Sequence, residues 1–431
     1  MLSPRSVYIA FEVFPRPKGA SSHMASMVRA LAGDHGPVLL LCLGFGDMPA
    51  FQTEGDIFIR RCKMYHPNLL KRAHLFAGFV ADHLDIWRET LELCVFRDPW
   101  GGMPAVLTAP HLKTLFEVNA LPSWELGYTY PAFDRNPGLK HKIMDMEQSC
   151  LDRCDRILTV SGVTARALMG KGVPAEKITT VWNCAPESFF GPHVEKDDTL
   201  RAGRRIGYVG SLHSWQGVDD AVSAFALIRP RYPDLTLRVI TGGRKEDRKK
   251  IRKEIRKLGL EDHIRLDHPM PRHELIHELR SFEFTLAPLR DTPRNTYQGC
   301  CPVKIIESMA AGVPVLASNL EPVRALIDHG QDGWLVEPGS VRHLALGMDA
   351  LLRNRSLSRS LGAHAAKRAR DDFHPEHIHR ALIRCFHETI QSKGVHSGSG
   401  GYSGPGRAAA GSCGGGHEQA GFGQKEAATM D

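Results

Sequence analysis

The sequence predicts an α/β protein of two domains, each built on a parallel sheet, and three observations carry this prediction. The chain has 431 residues, which is more than one compact core usually holds. Along it, short runs rich in β-branched residues alternate with amphipathic stretches, as in parallel sheets connected by helices. A polar stretch broken by Gly and Pro, residues 191–204, separates two such series and is the predicted linker.

The first series fills the N-terminal half. It begins with an apolar strand at residues 7–11, a loop that contains Gly19, and a helix whose apolar residues recur every three or four positions. Further strands are predicted at residues 38–43, 105–108, 115–119, 156–160 and 178–181. These runs are short and rich in aliphatic side chains, which favours buried strands.

The second series follows the linker. Its strands are predicted at residues 205–210, 235–240, 264–267, 283–287 and 313–317. Its helices are predicted between them, at residues 218–228, 245–258, 272–280 and 302–311. Residues 394–431 are rich in Gly, Ser and Ala and cannot bury a core, so a disordered tail is predicted there.

The composition disfavours several classes of protein. No run approaches the roughly 18 apolar residues of a membrane span, and the N-terminus lacks the cleavage site of a secretion signal. Ten cysteines without a Cys-x-x-Cys pair favour a reduced, cytoplasmic protein over a disulfide framework. No Gly-x-Gly-x-x-Gly follows a strand and no P-loop motif occurs, so neither a dinucleotide oxidoreductase nor a P-loop enzyme is expected.

The most informative segment is residues 297–317, where a tight loop leads into a helix and then a strand. Pro302 suits the first helical turn, so the N–H groups of Val303 and Lys304 would point out of the helix start, where anions bind. Lys304 adds a positive charge, and Glu307 lies on the same face. These groups suit a nucleoside diphosphate, with donors for the phosphates and a carboxylate for the ribose. From the residues alone, a capped helix with a solvated Lys–Glu pair stays an open alternative.

This segment resembles the nucleotide-sugar signature of family-four retaining glycosyltransferases, in the variant with Pro-x-Lys-x-x-Glu followed by Met-Ala-x-Gly-x-Pro-Val. Other segments resemble further landmarks of that family, in the same order along the chain. They lie at residues 17–23, 116–126, 160–161, 182–183, 207–212, 217–227 and 321–339. The resemblance covers most of residues 5–390. It implies the GT-B architecture, in which two Rossmann-like domains with parallel sheets face a central cleft.

The GT-B resemblance also implies a domain organisation. An acceptor-side domain would span residues 1–190, and the linker 191–204 would lead to a nucleotide-sugar-binding domain at 205–375. A last helix at 376–393 would cross back to the N-terminal domain, before the tail at 394–431.

The implied function is that of a retaining glycosyltransferase of the hexosyltransferase type (EC 2.4), which moves a sugar from a nucleoside-diphosphate sugar to a hydroxyl acceptor. By the family's habits, the acceptor is a glycan or a lipid-linked glycan in polysaccharide biosynthesis. No Asp-x-Asp motif occurs, so the donor is expected to bind without a metal, and no cofactor is expected. Two alternatives stay open: a catalytically inactive GT-B scaffold or binding protein, and a GT-B sugar-nucleotide epimerase.

The resemblance assigns the donor site to the C-terminal half. Lys304 and the N–H of Val303 would stabilise the leaving diphosphate, and Glu307 would bind the ribose. Where the family has a first glutamate, this chain has Gly299. The backbone groups expected to take its place beside the sugar are those of Gly299, Cys300 and Cys301.

Other donor-site positions depart from the family pattern. In the loop at Gly210, Ser211 and Gln216 stand where the family often has an Arg and a Lys. Arg294 and Lys304 are the nearby cations that would replace them. A charge-assisted contact is stronger than a neutral one, so this exchange bears directly on activity.

The acceptor side is assigned to the N-terminal half. The family often has a His where this chain has Asn119, whose amide would hydrogen-bond the donor sugar or the acceptor but cannot act as a base. Gly19, with its loop, and His23 would line the cleft.

The net charge of +7 is concentrated in one predicted helix, residues 244–257, which carries nine basic and three acidic side chains. Ile251, Ile255 and Leu258 follow one another at helical spacing. A solvated surface helix is the simpler interpretation, and peripheral contact with the anionic inner face of a membrane is the functional one. Nucleic-acid binding is not expected, because no aromatic residues interleave with the basic ones.

Overall fold

The structure, a computed structural model, describes residues 3–16, 19–64, 66–191 and 203–392. The predicted tail at 394–431 and most of the predicted linker at 191–204 lie outside the described residues. The described part contains two parallel sheets, each with helices on both faces. The predicted fold class, two Rossmann-like domains with parallel sheets, is confirmed.

The N-terminal domain is built on an eight-stranded sheet with the order β3-β4-β2-β1-β5-β6-β7-β8. All neighbouring strands are parallel except β3, which pairs antiparallel with β4. The strands are β1 (Ser6–Val13), β2 (Val38–Leu43), β3 (Phe51–Glu54), β4 (Ile57–Cys62), β5 (Leu93–Phe96), β6 (Lys113–Val118), β7 (Arg156–Thr159) and β8 (Ile178–Thr180). The helices are α1 (Gly19–His35), α2 (Leu69–Ile86), α3 (Pro99–Thr108), α4 (Pro122–Thr129), α5 (Pro137–Arg153) and α6 (Gly162–Met169).

The C-terminal domain is built on a fully parallel six-stranded sheet with the order β11-β10-β9-β12-β13-β14. The strands are β9 (Arg204–Val209), β10 (Leu235–Ile240), β11 (Ile264–Asp267), β12 (Thr285–Ala287), β13 (Val315–Ser318) and β14 (Trp334–Val336). The helices are α7 (Val218–Ile228), α8 (Lys245–Lys257), α9 (Arg272–Ser281), α10 (Pro293–Thr296), α11 (Val303–Ala310), α12 (Glu321–Arg324), α13 (Val341–Arg353), α14 (Arg355–Asp372) and α15 (Pro375–Gln391).

Successive side chains along each strand point to opposite faces of the sheet, so each sheet has a hydrophobic core on both faces. In β1, Val7 and Ile9 join the core beneath α2 and α3, whereas Tyr8 joins the opposite core beneath α1. That second core also contains Leu382 and Phe386 of α15. The last described helix therefore packs on the N-terminal sheet, although it follows the C-terminal domain along the chain.

One predicted strand, residues 105–108, is wrong. These residues form the end of α3, because the Asp98 side chain accepts a hydrogen bond from the Gly101 N–H and caps a helix that begins at Pro99. A short apolar run fits a buried helix as well as a buried strand, and here the cap decides. The hairpin of β3 and β4, which turns at Gly55 with φ of 58°, was not predicted.

Candidate functional site

A cavity of about 870 Å³ lies between the two domains. Its walls include residues that directly follow strands, such as Arg97 after β5, Asn119 after β6, Gly210 after β9 and Thr241 after β10. The carboxyl ends of parallel strands in both sheets therefore border one space, which is where open α/β sheets bind ligands. All but one of the predicted site residues line it: Gly19, His23, Asn119, Gly210, Ser211, Gln216, Arg294, Cys300, Cys301, Val303, Lys304 and Glu307.

Lys304 lies in the first turn of α11 and reaches toward the β9 side of the cavity. The helix begins after Pro302, so the N–H groups of Val303 and Lys304 have no carbonyl of a preceding helical turn to bind. The Lys304 Nζ donates to the Tyr208 hydroxyl (3.1 Å) and to Gln216 Oε1 (2.5 Å). No carboxylate of a described residue lies within ion-pair distance, and burial lowers the pKa of Lys304 to about 7. A buried cation without a counter-charge at a helix start suits an anionic ligand.

The loop after β9 leaves room for this ammonium group. Gly210 has a φ of 152°, and a Cβ atom there would lie 3.1 Å from the Lys304 Nζ and 3.0 Å from the Tyr208 hydroxyl. Ser211 holds Tyr208 in place, because the Ser211 carbonyl accepts a hydrogen bond from the Tyr208 hydroxyl at 2.6 Å. Gln216, which stands where the family often has a lysine, instead accepts a hydrogen bond from Lys304.

Glu307 lies one turn beyond Lys304 and lines the same cavity. Its carboxylate makes no hydrogen bond or ion pair with a described residue. Burial raises the pKa of Glu307 to about 7, and the more distant charge of Arg272 opposes this only in part. A carboxylate held free in a cavity wall is available to accept hydrogen bonds from a ligand's hydroxyl groups.

The loop before α11, residues 297–302, is held by the N-terminal domain. Glu125 on α4 accepts a hydrogen bond from the Gln298 amide (3.1 Å) and pairs with the Arg294 guanidinium (3.0 Å). Arg294 lines the cavity, but its charge is already balanced across the domain boundary. It is therefore a weaker replacement for the missing cations than the sequence predicts.

Gly299 is the one predicted site residue that does not line the cavity. Its φ is 81°, and a Cβ atom there would come within 2.7 Å of Ser161 Oγ and 2.9 Å of the Thr164 N–H nitrogen, at the start of α6. The close approach of this loop to α6 requires glycine. The departure from the family's glutamate thus has a packing reason.

Cys300 and Cys301 line the cavity beside this loop. The Asn183 side chain donates to the Cys301 carbonyl at 2.8 Å, so the loop is tied to the N-terminal domain a second time. Burial raises the pKa of the Cys300 thiol, and it raises that of the Cys301 thiol to about 12. Both thiols are therefore un-ionised and unreactive near neutral pH.

On the acceptor side, Asn119, His23 and Arg97 converge on one buried carboxylate, Glu117. Glu117 Oε1 lies 2.7 Å from His23 Nε2 and 3.1 Å from Arg97 Nε, and it accepts a hydrogen bond from the Asn119 amide. Glu117 Oε2 accepts a hydrogen bond from the Tyr8 hydroxyl at 2.6 Å. Burial alone would raise the pKa of Glu117, but the charges of His23 and Arg97 outweigh burial and lower it to about 2.

Neither Glu117 nor Arg97 is among the residues predicted from the sequence. The available signal was a carboxylate inside an apolar strand, because Glu117 is fully buried in β6 between Phe116 and Val118. A buried charge must find partners, and the polar residues that follow neighbouring strands are the nearest candidates. Gly19, which was predicted, begins α1 on the same wall of the cavity.

The basic helix predicted at residues 244–257 is α8. Ile251 and Ile255 are buried beneath it, whereas Leu258 is exposed. Arg248 is also buried and donates to three backbone carbonyls at the ends of β10 and β11, so one of the nine charges is structural. The first turn of α8 borders the cavity, and most of its other basic side chains face outward.

None of the helices in the described part of the chain is long and apolar enough to cross a membrane. Within residues 3–392, apart from the three gaps, no group of three or more His, Cys, Asp or Glu side chains is arranged to hold a metal ion. Binding of the donor without a metal stays a prediction.

Two family models match the chain, one for each domain. Residues 17–188 match the model described as Glycosyltransferase Family 4, and residues 196–368 match that described as Glycosyl transferases group 1. The two matches together cover most of the chain and meet at the boundary between the two sheets.

Three curated relatives match parts of the chain. An uncharacterized glycosyltransferase of Haemophilus influenzae is 29% identical over 35% of this chain and 39% of its own length. An exopolysaccharide phosphotransferase of Streptomyces coelicolor is 30% identical over 46% of this chain and 19% of its own length. The amylovoran biosynthesis glycosyltransferase AmsK of Erwinia amylovora is 28% identical over 44% of this chain and 45% of its own length. The chain thus spans less than half the length of each of these relatives.

Solved structures match the fold over almost their whole length. Sucrose-phosphate synthase from Thermosynechococcus elongatus superposes with a TM-score of 0.74 at 17% identity, over 89% of this chain and 99% of that one. HepE from Anabaena, in complex with UDP-glucose, superposes with a TM-score of 0.68 at 14% identity, over the same shares of both chains. These likenesses show the two-domain fold.

Proposed function

Because this chain belongs to the GT-B glycosyltransferases, with a family domain on each side of its cavity, we propose that it transfers a sugar from a nucleoside-diphosphate sugar to a hydroxyl acceptor, with retention at the anomeric carbon. The hexosyl type of transfer is part of this proposal. The single observation that carries it is the Lys304 ammonium group. It stands at the start of α11, faces the cavity between the domains and has no carboxylate partner among the described residues.

The proposed donor position follows from the charges on the C-terminal wall. The diphosphate binds at Lys304 and the N–H groups that begin α11, and the ribose binds at Glu307. As the bond to the sugar breaks, negative charge grows on the diphosphate, and donors already aimed at it lower the barrier. Asn119 faces the sugar or the acceptor from the N-terminal wall. Lys304 and these N–H groups take the place of a metal, and no cofactor is needed.

The proposed substrates rest on named proteins similar to this chain. HepE was solved with UDP-glucose, which supports a UDP-sugar as donor. AmsK is named for amylovoran biosynthesis and the Streptomyces coelicolor protein for exopolysaccharide, which supports a glycan or lipid-linked glycan as acceptor. A role in polysaccharide biosynthesis in the cytoplasm is the corresponding proposal.

A lipid-linked acceptor would bring the protein to a membrane surface, and α8 offers a surface for it. Lys249, Lys250, Arg252 and Lys253 are exposed. We propose that this face binds anionic headgroups. Sedimentation with phosphatidylglycerol vesicles tests this, with phosphatidylcholine vesicles as the control. The K249E/K253E double variant should lose the binding, and equal sedimentation with both vesicle types would refute it.

The proposed transfer is tested by a donor screen that measures nucleotide release. UDP-, GDP- and ADP-sugars are offered with water or a glycan as acceptor, and one nucleotide should be released far faster than the others. NMR of the released sugar or product reports the anomeric configuration. An inverted product would refute the retention part alone.

The two alternative functions predict different results in assays on the same purified protein. An inactive scaffold would release no nucleotide with any donor, and calorimetry with millimolar nucleoside diphosphates would show no binding in its cavity. An epimerase would convert the donor sugar without any acceptor, which product analysis detects. Either result would refute the proposed transfer.

A further inference from the structure

A cluster of exposed apolar side chains lies on the N-terminal domain, beside the acceptor wall of the cavity. Phe45 follows β2, Phe51 begins β3, Met64 follows β4, and Leu70 lies in the first turn of α2. Their exposed fractions are 55%, 48%, 48% and 39%. Single exposed apolar residues are ordinary, but several at one edge of a domain indicate an interaction surface. These four residues form the apolar rim.

Strand pairing brings the apolar rim to one edge of the N-terminal sheet. Because β2 and β4 are parallel neighbours, the loops that follow them leave the sheet side by side. Phe51 lies at the same edge, since it is opposite Arg60 near the end of β4. The buried Arg61 side chain donates to the Phe14 carbonyl (2.8 Å) and to the Pro49 carbonyl (2.9 Å). The segments after β1 and β2 are therefore fixed to β4, and the apolar rim rests on a rigid base.

Basic side chains surround the apolar rim. The guanidinium group of Arg60 lies 4.0 Å from the ring centre of its cross-strand partner, and that of Arg16 lies 5.9 Å from the ring centre of Phe45. Two further basic residues are exposed and directly adjoin residues of the rim along the chain, namely Lys63 and Lys71. The surface thus combines apolar tips with positive charges at their base.

This combination matches the surface of an anionic lipid bilayer. Apolar side chains can enter the acyl boundary while the arginine and lysine heads stay at the phosphate groups. The loops after β1, β2 and β4 carry one acidic residue, Asp47, so their net charge is positive and attracts anionic headgroups. A glycan is a poorer match, because sugars stack on bare aromatic faces and Arg60 already covers one face of Phe51.

We propose that the apolar rim inserts into the interface of an anionic membrane and thereby brings the acceptor wall of the cavity to a lipid-linked acceptor. The inference rests on the lipid-linked acceptor of the proposed function. Arg16 joins the two regions, since it lies over Phe45 and also lines the cavity. The first turn of α8 borders the same cavity. Stable attachment takes two signals, here apolar insertion by the rim and basic charge on α8, so the loss of either should release the protein.

Sedimentation of the full chain with vesicles measures the attachment. The wild type should bind vesicles of phosphatidylglycerol mixed with phosphatidylcholine, and F45S/F51S should bind them at least about tenfold more weakly, because two apolar rings no longer leave water. L227S/L346S is the matched control and should bind as the wild type does, since Leu227 and Leu346 are 61% and 56% exposed on helices of the C-terminal domain. Nucleotide release from UDP-glucose with water should be unchanged in both double variants, because none of the four residues lines the cavity.

Fluorescence measures the insertion itself. After subtraction of the wild-type signal, Phe45→Trp should show emission that brominated lipids in the same vesicles quench, whereas the added emission of Leu227→Trp should not be quenched. Absence of this quenching in Phe45→Trp, or sedimentation of F45S/F51S equal to that of the wild type, would overturn the insertion.

Further outcomes separate this surface from a glycan site and from the proposed transfer. If immobilised alginate, an anionic polysaccharide, retains the wild type but not F45S/F51S while both sediment equally with vesicles, the rim binds glycan and the membrane proposal is overturned. If vesicle binding depends on the rim but the wild type releases no nucleotide from any donor, the proposed transfer falls and the docking surface stands. Normal turnover with vesicle binding that ignores the rim would have the opposite meaning.

Discussion

Replacing Lys304 by Met should make the protein more stable and less active at once. The folded protein lowers the pKa of Lys304 from 10.5 to about 7, because the ammonium group is removed from water without a carboxylate to balance it. A shift of that size corresponds to about 5 kcal/mol of lost solvation. Water in the cavity reaches the group, so we expect a gain of about 2 kcal/mol when the charge is removed.

The pH dependence of this gain has a definite sign. Because the folded pKa is lowered, the cost is fully present below pH 7, where both folded and unfolded chains carry the charge. It disappears as the pH rises toward 10.5, where both are neutral. The melting temperature of Lys304→Met should therefore exceed that of the wild type by about 4–8 °C near pH 7, and the difference should shrink in alkaline buffer.

The same substitution removes the proposed anchor of the diphosphate. A charge-assisted contact contributes about 1.5–3 kcal/mol, so UDP affinity should fall about 10- to 150-fold. Turnover should fall about 100- to 1,000-fold, because the leaving charge loses its stabilising donor. Scanning calorimetry measures the melting temperature, titration calorimetry the affinity, and nucleotide release the turnover.

Lys253 provides the matched control, since it is exposed on α8. Lys253→Met removes the same charge and should change neither the melting temperature nor UDP affinity. A Lys304→Met protein that melts at or below the wild-type temperature would refute the desolvation argument. Unchanged UDP affinity in that variant would refute the placement of the diphosphate at α11.

Three further predictions concern the same wall of the cavity. Glu307→Gln should weaken UDP binding about tenfold, since a hydrogen bond to a charged group is replaced by a neutral one. Pyrophosphate binding should stay unchanged in titration calorimetry. Equal losses of affinity for both ligands would exclude a ribose contact. In that variant Lys304 is the remaining group of this helix that titrates near pH 7, so UDP affinity should fall about fivefold from pH 7 to pH 8, and proton uptake on binding should rise from about 0.5 at pH 7 to about 0.9 at pH 8. Calorimetry in two buffers of different ionisation heat measures the uptake, and its absence would show that Lys304 does not meet the diphosphate. Gly299→Ala should destabilise the protein by about 1–3 kcal/mol and raise the donor KM, because the added Cβ atom forces the loop away from α6. Chemical denaturation curves identical to those of the wild type would contradict the packing reason.

The chemistry of α11 could be read from the sequence because it depends on neighbours along the chain. Pro302, Lys304 and Glu307 lie within six residues, and helical spacing alone puts their groups at one helix start. The two-domain parallel fold was predictable for the same reason, since strand and helix periods are local signals. The prediction was wrong at residues 105–108, where two local signals compete, because the Asp98 cap starts a helix that the short apolar run alone does not indicate.

The pairing of charges was decided only by tertiary structure. Arg294 is neutralised by Glu125 on the other domain, and His23 meets Glu117 across 94 positions of the chain. Nothing local to any of these residues indicates its partner. The sequence by itself therefore determined the fold class and the donor helix, through spacings that neighbouring residues impose. Only the folded chain decided which cations stay free for a ligand and which carboxylate pairs with His23, because burial and long-range contact set the charge of each group.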